Sequence, residues 1–345
     1  MHMKHLYTLL KFPLFFLFVT LTACQKQLSN NEENGSQLTI GAMLKNASDA
    51  DQNALNTEIP GTSNGSGPSN PLAFARSQER FSVLTVALAK TGLLNTLMRL
   101  DADYTLFAPS DAAFAAANID VATVTKLPEE TLKQILLYHV VAGKVPAAAV
   151  TGSLAPATLN GKRIFVRPLS GTVAINLSKV TIADVVAKNG VIHVIDKVLL
   201  PPTQSIVDVV VNDARFSLLK AAVLQASKGT TNVAALLSGA GPFTVFAPLN
   251  SAFTDIKYDE AAINAAAPDA LTPILAYHVI SGAVFSIDLS NGLTPTMLSG
   301  KTTIIGLGTV ATIKGSGNTS PSTITITDVL TTNGVIHVID KVLLP

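Results

Sequence analysis

The chain has no tryptophan, a single cysteine and few charges. Of its 345 residues 14% are charged and 6% aromatic, against 48% hydrophobic. With Cys24 alone, a disulfide within one chain is excluded, and no thiolate pair exists to hold zinc. A net charge of +1 leaves no basic field for nucleic acid. The scarcity of aromatics counts against a sugar-stacking cleft or an aromatic-lined cofactor pocket. What remains is apolar sequence, long enough for two ordinary domains.

The first 23 residues read as a targeting segment. Lys4 and Lys11 flank a short apolar run, Phe12 to Leu21, too short for a stable membrane span. It ends in Leu21-Thr22-Ala23-Cys24, which resembles the bacterial lipoprotein cleavage box. The resemblance implies cleavage before Cys24 and a lipid on its thiol, holding the protein on a membrane surface outside the cytoplasm. Residues 24–70 are rich in Asn, Ser, Asp, Glu and Gly and close on "PGTSNGSGPSNP". Such a segment buries little and reads as a flexible tether, with a reach of roughly 40 Å. It has room for one short helix around Leu38 to Leu44.

The rest is written twice. "YTLFAPSDAAF" (Tyr104 to Phe114) matches "FTVFAPLNSAF" (Phe243 to Phe253), and "LLYHVVAGKV" (Leu136 to Val145) matches "LAYHVISGAV" (Leu275 to Val284). Both pairs lie 139 residues apart. "NGVIHVIDKVLLP" then recurs without change at Asn189 to Pro201 and Asn333 to Pro345, 144 residues apart. The second copy therefore carries a net insertion of five, placed in the Gly-Ser-Pro stretch Lys314 to Ser322. A period this long is a duplicated domain, not a solenoid repeat. The boundaries are set at 71–202 and 203–345, joined by "LLPPTQS".

Both copies carry the same pattern of elements. Val83, Val86, Ala87 and Leu93-Leu94 recur at helical spacing. "YTLFAP" and "FTVFAP" are short strands that end at Pro109 and Pro248. Ser110-Asp111 offers a cap for the next helix, and Asn250 is the expected cap in the second copy. "LPEETLKQILLY" and "APDALTPILAY" are amphipathic helices, and Pro273 is tolerated if it falls in the first turn. Strands follow at "RIFVRP", "TVAINL", "KVTIADV" and "GVIHVIDKVLL". Helices first and strands later predict an α+β fold rather than alternating α/β.

Three landmarks now stand in order, twice: the Phe-Ala-Pro strand with its downstream Phe, the Tyr-His pair after a helix, and the Asn-Gly-x-Ile-His-x-Ile-Asp-x-Val-Leu-x-Pro ending. Together they resemble the fasciclin domain. The resemblance implies a wedge or sandwich of about seven strands flanked by helices in each copy. It also implies adhesion or matrix contact at cell surfaces, with no catalysis and no cofactor. It marks Tyr138, His139, Tyr277 and His278 as candidate partner contacts, the partner being a protein or a polysaccharide. Leu249 departs from the family, which favours Ser or Thr there.

The repeated ending also poses a site question, since His193 and Asp196 recur as His337 and Asp340. Strand alternation puts His193 on one face with Val191 and Ile195, and Asp196 on the other with Ile192 and Val194. A catalytic pair must converge to hydrogen-bond distance, and this one diverges. Scaffold is therefore the expected role, with no catalytic residue and no metal. Two alternatives to adhesion remain: a structural envelope spacer, and an envelope hydrolase using the repeated His and Asp.

Overall fold

The computed structural model describes residues 81–97, 101–187 and 189–345. The expected leader, Cys24, the expected tether and the helix expected at Leu38 to Leu44 lie outside these residues.

Each copy opens with helices. The first begins with α1 (Ser82–Lys90) and α2 (Leu93–Leu97), separated at Gly92, whose φ of 64° breaks the helix. Residues Val83 to Leu88 of α1 are all buried, so it is a core helix and not an amphipathic surface one. Strand β1 (Tyr104–Pro109) leads into α3 (Asp111–Ala116), α4 (Val121–Lys126) and α5 (Glu129–Leu137). Strands β2 (Val140–Ala142), β3 (Val166–Leu169), β4 (Thr172–Ile175), β5 (Ser178–Ala187) and β6 (Gly190–Ile195) complete the copy. The second copy repeats the plan with α6 (Ile206–Asn212), α7 (Ser217–Ala226), α8 (Val233–Leu237), β7 (Phe243–Pro248), α9 (Asn250–Asp255), α10 (Glu260–Ala265) and α11 (Pro268–Ala276). It then adds β8 (Val279–Ser281), β9 (Thr303–Leu307), β10 (Ala311–Gly315), β11 (Ser322–Thr331) and β12 (Gly334–Ile339).

The strands form two six-stranded sheets of one topology, β2-β1-β6-β5-β4-β3 and β8-β7-β12-β11-β10-β9. The fold is α+β. Each sheet has six strands where about seven were expected, and Leu154, Ala157 and Thr158 make isolated bridges outside them. In each sheet one pair is parallel, β1 with β6 and β7 with β12. That pairing joins the Phe-Ala-Pro strand to the repeated ending, and all six residues of β6 and of β12 are buried. A strand covered on both faces reads as a near-continuous apolar run, which accounts for its composition. Gly190 and Gly334 open these strands because the partner backbone is too close for a side chain. A Cβ there would lie 2.1 Å from the Tyr104 carbonyl oxygen and 2.0 Å from that of Phe243.

Most of the insertion falls between strands, the β10–β11 link being four residues longer than the β4–β5 link. Asn176-Leu177 alone link β4 to β5, while residues 316–321 link β10 to β11.

Two expectations about helices are corrected. Ser110 does cap α3, its hydroxyl accepting from the Ala113 N–H at 3.3 Å. Asn250, however, does not cap α9, whose N-cap is Leu249 with no side-chain bond. Its oxygen accepts from the N–H of Leu218 at 3.0 Å, at the start of α7. Asp111 does the same for α1, taking the N–H groups of Ser82 and Val83, each at 3.0 Å. One position thus caps a helix about 30 residues upstream in both copies. Pro273 lies in the second turn of α11 and not the first, so the Asp269 carbonyl loses its helical donor. Both residues are exposed, and water can satisfy that oxygen.

Among the described residues the copies touch through a mixed cluster. Phe165 of the first packs with Ala283, Phe285 and Val335 of the second. Beside it, Arg167 pairs with Asp288 at 2.6 Å and lies over the Phe285 ring at 4.2 Å.

Candidate functional site

The Tyr-His pairs sit where α5 and α11 end. Each Tyr closes its helix as the C-cap and points inward. Tyr138 donates its hydroxyl hydrogen to the Arg163 carbonyl at 2.9 Å and accepts from the Asn176 amide at 3.1 Å. Tyr277 donates to the Thr302 carbonyl at 2.5 Å and accepts from the Ser316 N–H at 3.1 Å. The second copy has thus replaced a side-chain donor with a backbone donor from its longer loop. Burial pushes the Tyr138 phenol pKa up, against the smaller opposing effect of Asn176.

The neighbouring His is equally committed. His139 Nδ1 faces the Ile135 carbonyl at 2.8 Å, and the Leu199 N–H donates to Nε2 at 2.9 Å. A carbonyl only accepts and an N–H only donates, so the ring is neutral with its hydrogen on Nδ1. His278 repeats this with Ile274 and Leu343, both at 2.8 Å. Burial lowers both pKa values to about 4. Each ring therefore ties the end of a helix to the last residues of the repeated ending.

These four side chains have 0 to 3% of their surface exposed. That corrects the expectation of Tyr138, His139, Tyr277 and His278 as partner contacts. Side chains spent on internal bonds with no free surface cannot touch a partner in this conformation. Small cavities lie alongside, ≈ 10 Å³ by His139 and ≈ 50 Å³ by His278, with apolar walls.

His193 and Asp196 serve different elements, as strand alternation requires. The Asp184 N–H donates to His193 Nδ1 at 3.3 Å, and Nε2 donates to the Val145 carbonyl at 2.9 Å. The ring also stacks on Phe107, with centroids 5.6 Å apart. Asp184 can aim its N–H this way because it holds a left-handed φ of 58° at an irregularity in β5. Asp196 instead accepts from the Ser178 hydroxyl at 2.9 Å and the Lys179 N–H at 2.7 Å. His337 and Asp340 make the same bonds with Asp328, Val284, Ser322 and Thr323. Burial lowers the pKa of His193 and His337, with the backbone bonds to Val145 and Val284 opposing it. Among the described residues no three His, Cys, Asp or Glu side chains gather as a metal site.

Sequence reasoning missed the cluster between the copies. Arg167 and Asp288 occupy positions that are Gly306 and Ala149 in the other copy, so neither belongs to a repeated motif. The available signal was that difference: aromatic and charged residues in one copy where the other has small ones.

The comparisons agree with the duplicated plan. The fasciclin domain model matches twice, at residues 79–201 and 215–345. The chain belongs to the fasciclin domain family. It is 32% identical over 262 residues to transforming growth factor-beta-induced protein ig-h3 of Sus scrofa, covering 74% of this chain and 37% of that protein. It is 30% identical over 269 residues to periostin of Homo sapiens, covering 76% and 30%. Protein sll1483 of Synechocystis sp. is 42% identical over 131 residues, covering 37% of this chain and 71% of that protein. The chain thus spans well under half the length of ig-h3 and periostin. A solved FAS1 domain pair from the insect cell adhesion molecule fasciclin I aligns at a TM-score of 0.37 and 20% identity, covering 79% of this chain and 96% of that one.

Proposed function

We propose that this is a non-catalytic adhesion or matrix-binding protein of the cell envelope, held by a lipid on Cys24 and presenting two fasciclin domains, 71–202 and 203–345, on a flexible tether. One observation supports it most. All four histidines beyond the leader are buried, neutral and hydrogen-bonded on both ring nitrogens to backbone, which leaves no imidazole free for acid-base work. Membership in the fasciclin family supports the adhesive role. The partner is a protein or polysaccharide outside the cytoplasm. Among the described residues no helix is long and apolar enough to cross a membrane, so the described part offers no helical anchor of its own.

A screen of the purified chain against matrix proteins and glycans tests the reading. Saturable binding to at least one is expected, and binding to none would favour an envelope spacer instead. Cys24→Ser is expected to abolish metabolic labelling with fatty acid, and retained label would remove the lipid anchor.

A further inference from the structure

The contact between the two copies joins unlike faces. The first copy offers Phe165 and Arg167, at the β3 edge of its sheet. The second offers Phe285 and Asp288 from a single 3-10 turn, together with Leu330 on β11. Since the copies share one fold, each carries both kinds of face, and one of each kind is left over.

Shared bonds fix which residues correspond. Tyr138 and Tyr277 donate to Arg163 and Thr302, so Phe165 corresponds to Ile304. The N–H groups of Ala147 and Ser286 donate to Asp184 and Asp328, so Phe285 corresponds to Pro146, and Leu330 to Val186. Within the chain these faces are covered: Phe165 is 3% exposed and Phe285 0%. The leftover faces are open and apolar. Ile304 is 54% exposed. Val186 is 63% exposed, and Pro146 and Ala148 beside the corresponding turn are exposed too.

We propose that the leftover faces mate between molecules, the Ile304 face of one copy of this chain docking on the Val186 face of the next. The contact repeats between chains the one already made within the chain. Unlike faces that do not close a ring generate an open head-to-tail row. The intermolecular version lacks the ion pair, because Arg167 and Asp288 correspond to Gly306 and Ala149. It also replaces the two phenylalanines with Ile304 and Pro146. The contact between chains is therefore the weaker one and is reversible, while the contact within each chain persists.

Sedimentation of the purified full chain across a concentration series tests this. The weight-average mass is expected to rise with concentration and to pass beyond a dimer. Ile304→Asp and Val186→Asp each remove one face, so either variant alone is expected to stay monomeric. Mixed in equal amounts, they retain one complementary pair of faces and are expected to form dimers and stop there. Both sites are exposed, and unchanged thermal unfolding checks that the variants fold; Ile304→Lys is the substitute should Ile304→Asp not fold. A wild-type chain that stays monomeric throughout, single variants that still associate, or a mixture that stays monomeric would each overturn the proposal.

Discussion

Arg167 donates its Nε hydrogen to both carboxylate oxygens of Asp288, 121 residues further along the chain, at 2.7 and 2.6 Å. The two side chains are 5% and 18% exposed, and both terminal nitrogens of Arg167 are buried with no protein acceptor. This is a buried ion pair with incomplete hydrogen bonding, the arrangement in which desolvation rivals attraction. Its loss from one side is therefore more damaging than its replacement as a whole.

Arg167→Ala is expected to destabilise the chain by about 3 kcal/mol, since Asp288 is left partly buried without its cation. Arg167→Met combined with Asp288→Asn is expected to recover most of that loss. The Asn still accepts the Phe285 N–H bond, which Asp288 takes at 2.7 Å. Urea unfolding of the three chains checks this, and a double variant no more stable than Arg167→Ala would contradict it.

Gly190→Ala and Gly334→Ala test the parallel pairing that closes each copy. A methyl group at either site collides with backbone carbonyl oxygen, which cannot turn away as a flexible side chain can. Each substitution is expected to cost at least about 2 kcal/mol, in the range of core overpacking. Gly161→Ala is the comparison, because nothing lies within 4 Å of its added Cβ although its φ is 82°. It is expected to cost only about 1 kcal/mol, from backbone strain. Equal melting temperatures for Gly190→Ala and Gly161→Ala would count against the close approach.

Much of this was legible in the chain itself, and the exceptions have a physical pattern. Alternation along "GVIHVIDKVLLP" was enough to separate His193 from Asp196, because a strand fixes which way each side chain points. The Phe-Ala-Pro strand and the position of the insertion were equally readable, being local. The cap made by Asn250 was not: its partner Leu218 is 32 residues away, and an Asx at a helix start looks the same whichever helix it caps. The burial of Tyr138 and His139 was also hidden, since their acceptors and donors at Arg163, Asn176 and Leu199 come from turns and connections far along the chain. Arg167 and Asp288 meet only once both copies are folded. No periodicity within either copy carries that information.

The distant caps give a third prediction. Asp111→Ala removes the acceptor for the Ser82 and Val83 N–H groups, and Asn250→Ala removes that for Leu218. Each is expected to cost about 1 kcal/mol, the usual effect of a lost N-cap. Asp111→Asn keeps an acceptor oxygen and is expected to retain most of the stability. The locus distinguishes this from a cap on α3. Amide hydrogen exchange in Asp111→Ala should quicken at Ser82 and Val83, and faster exchange confined to 111–116 would contradict the assignment.

The fourth prediction concerns acid. In the folded chain His139 and His278 titrate at about 4, against 6.5 ordinarily, because burial disfavours the charged ring. Between these values the unfolded chain binds more protons than the folded one, so stability rises with pH there. The folded state is at full strength above pH 6.5 and weakens as pH falls towards 4, by about 3 kcal/mol for each of the two rings. His193 and His337 are shifted the same way and add to the effect. Protonation also forces a hydrogen onto Nε2 of His139, which already faces the Leu199 N–H at 2.9 Å. Asp120 and Asp208, whose pKa values are lowered from 3.8 by cap bonds to Thr123 and Ser205, lose their contributions only at still lower pH. Urea midpoints measured from pH 7.5 to 4.5 are therefore expected to fall steadily below pH 6.5, with most of the loss before the carboxylates begin to titrate. Replacing His139 and His278 with Gln removes the two titrating rings, and the variant is expected to be less stable at pH 7 yet flatter across this window. A wild-type profile that is flat from 6.5 to 4.5 would show that these histidines are not held neutral in the core.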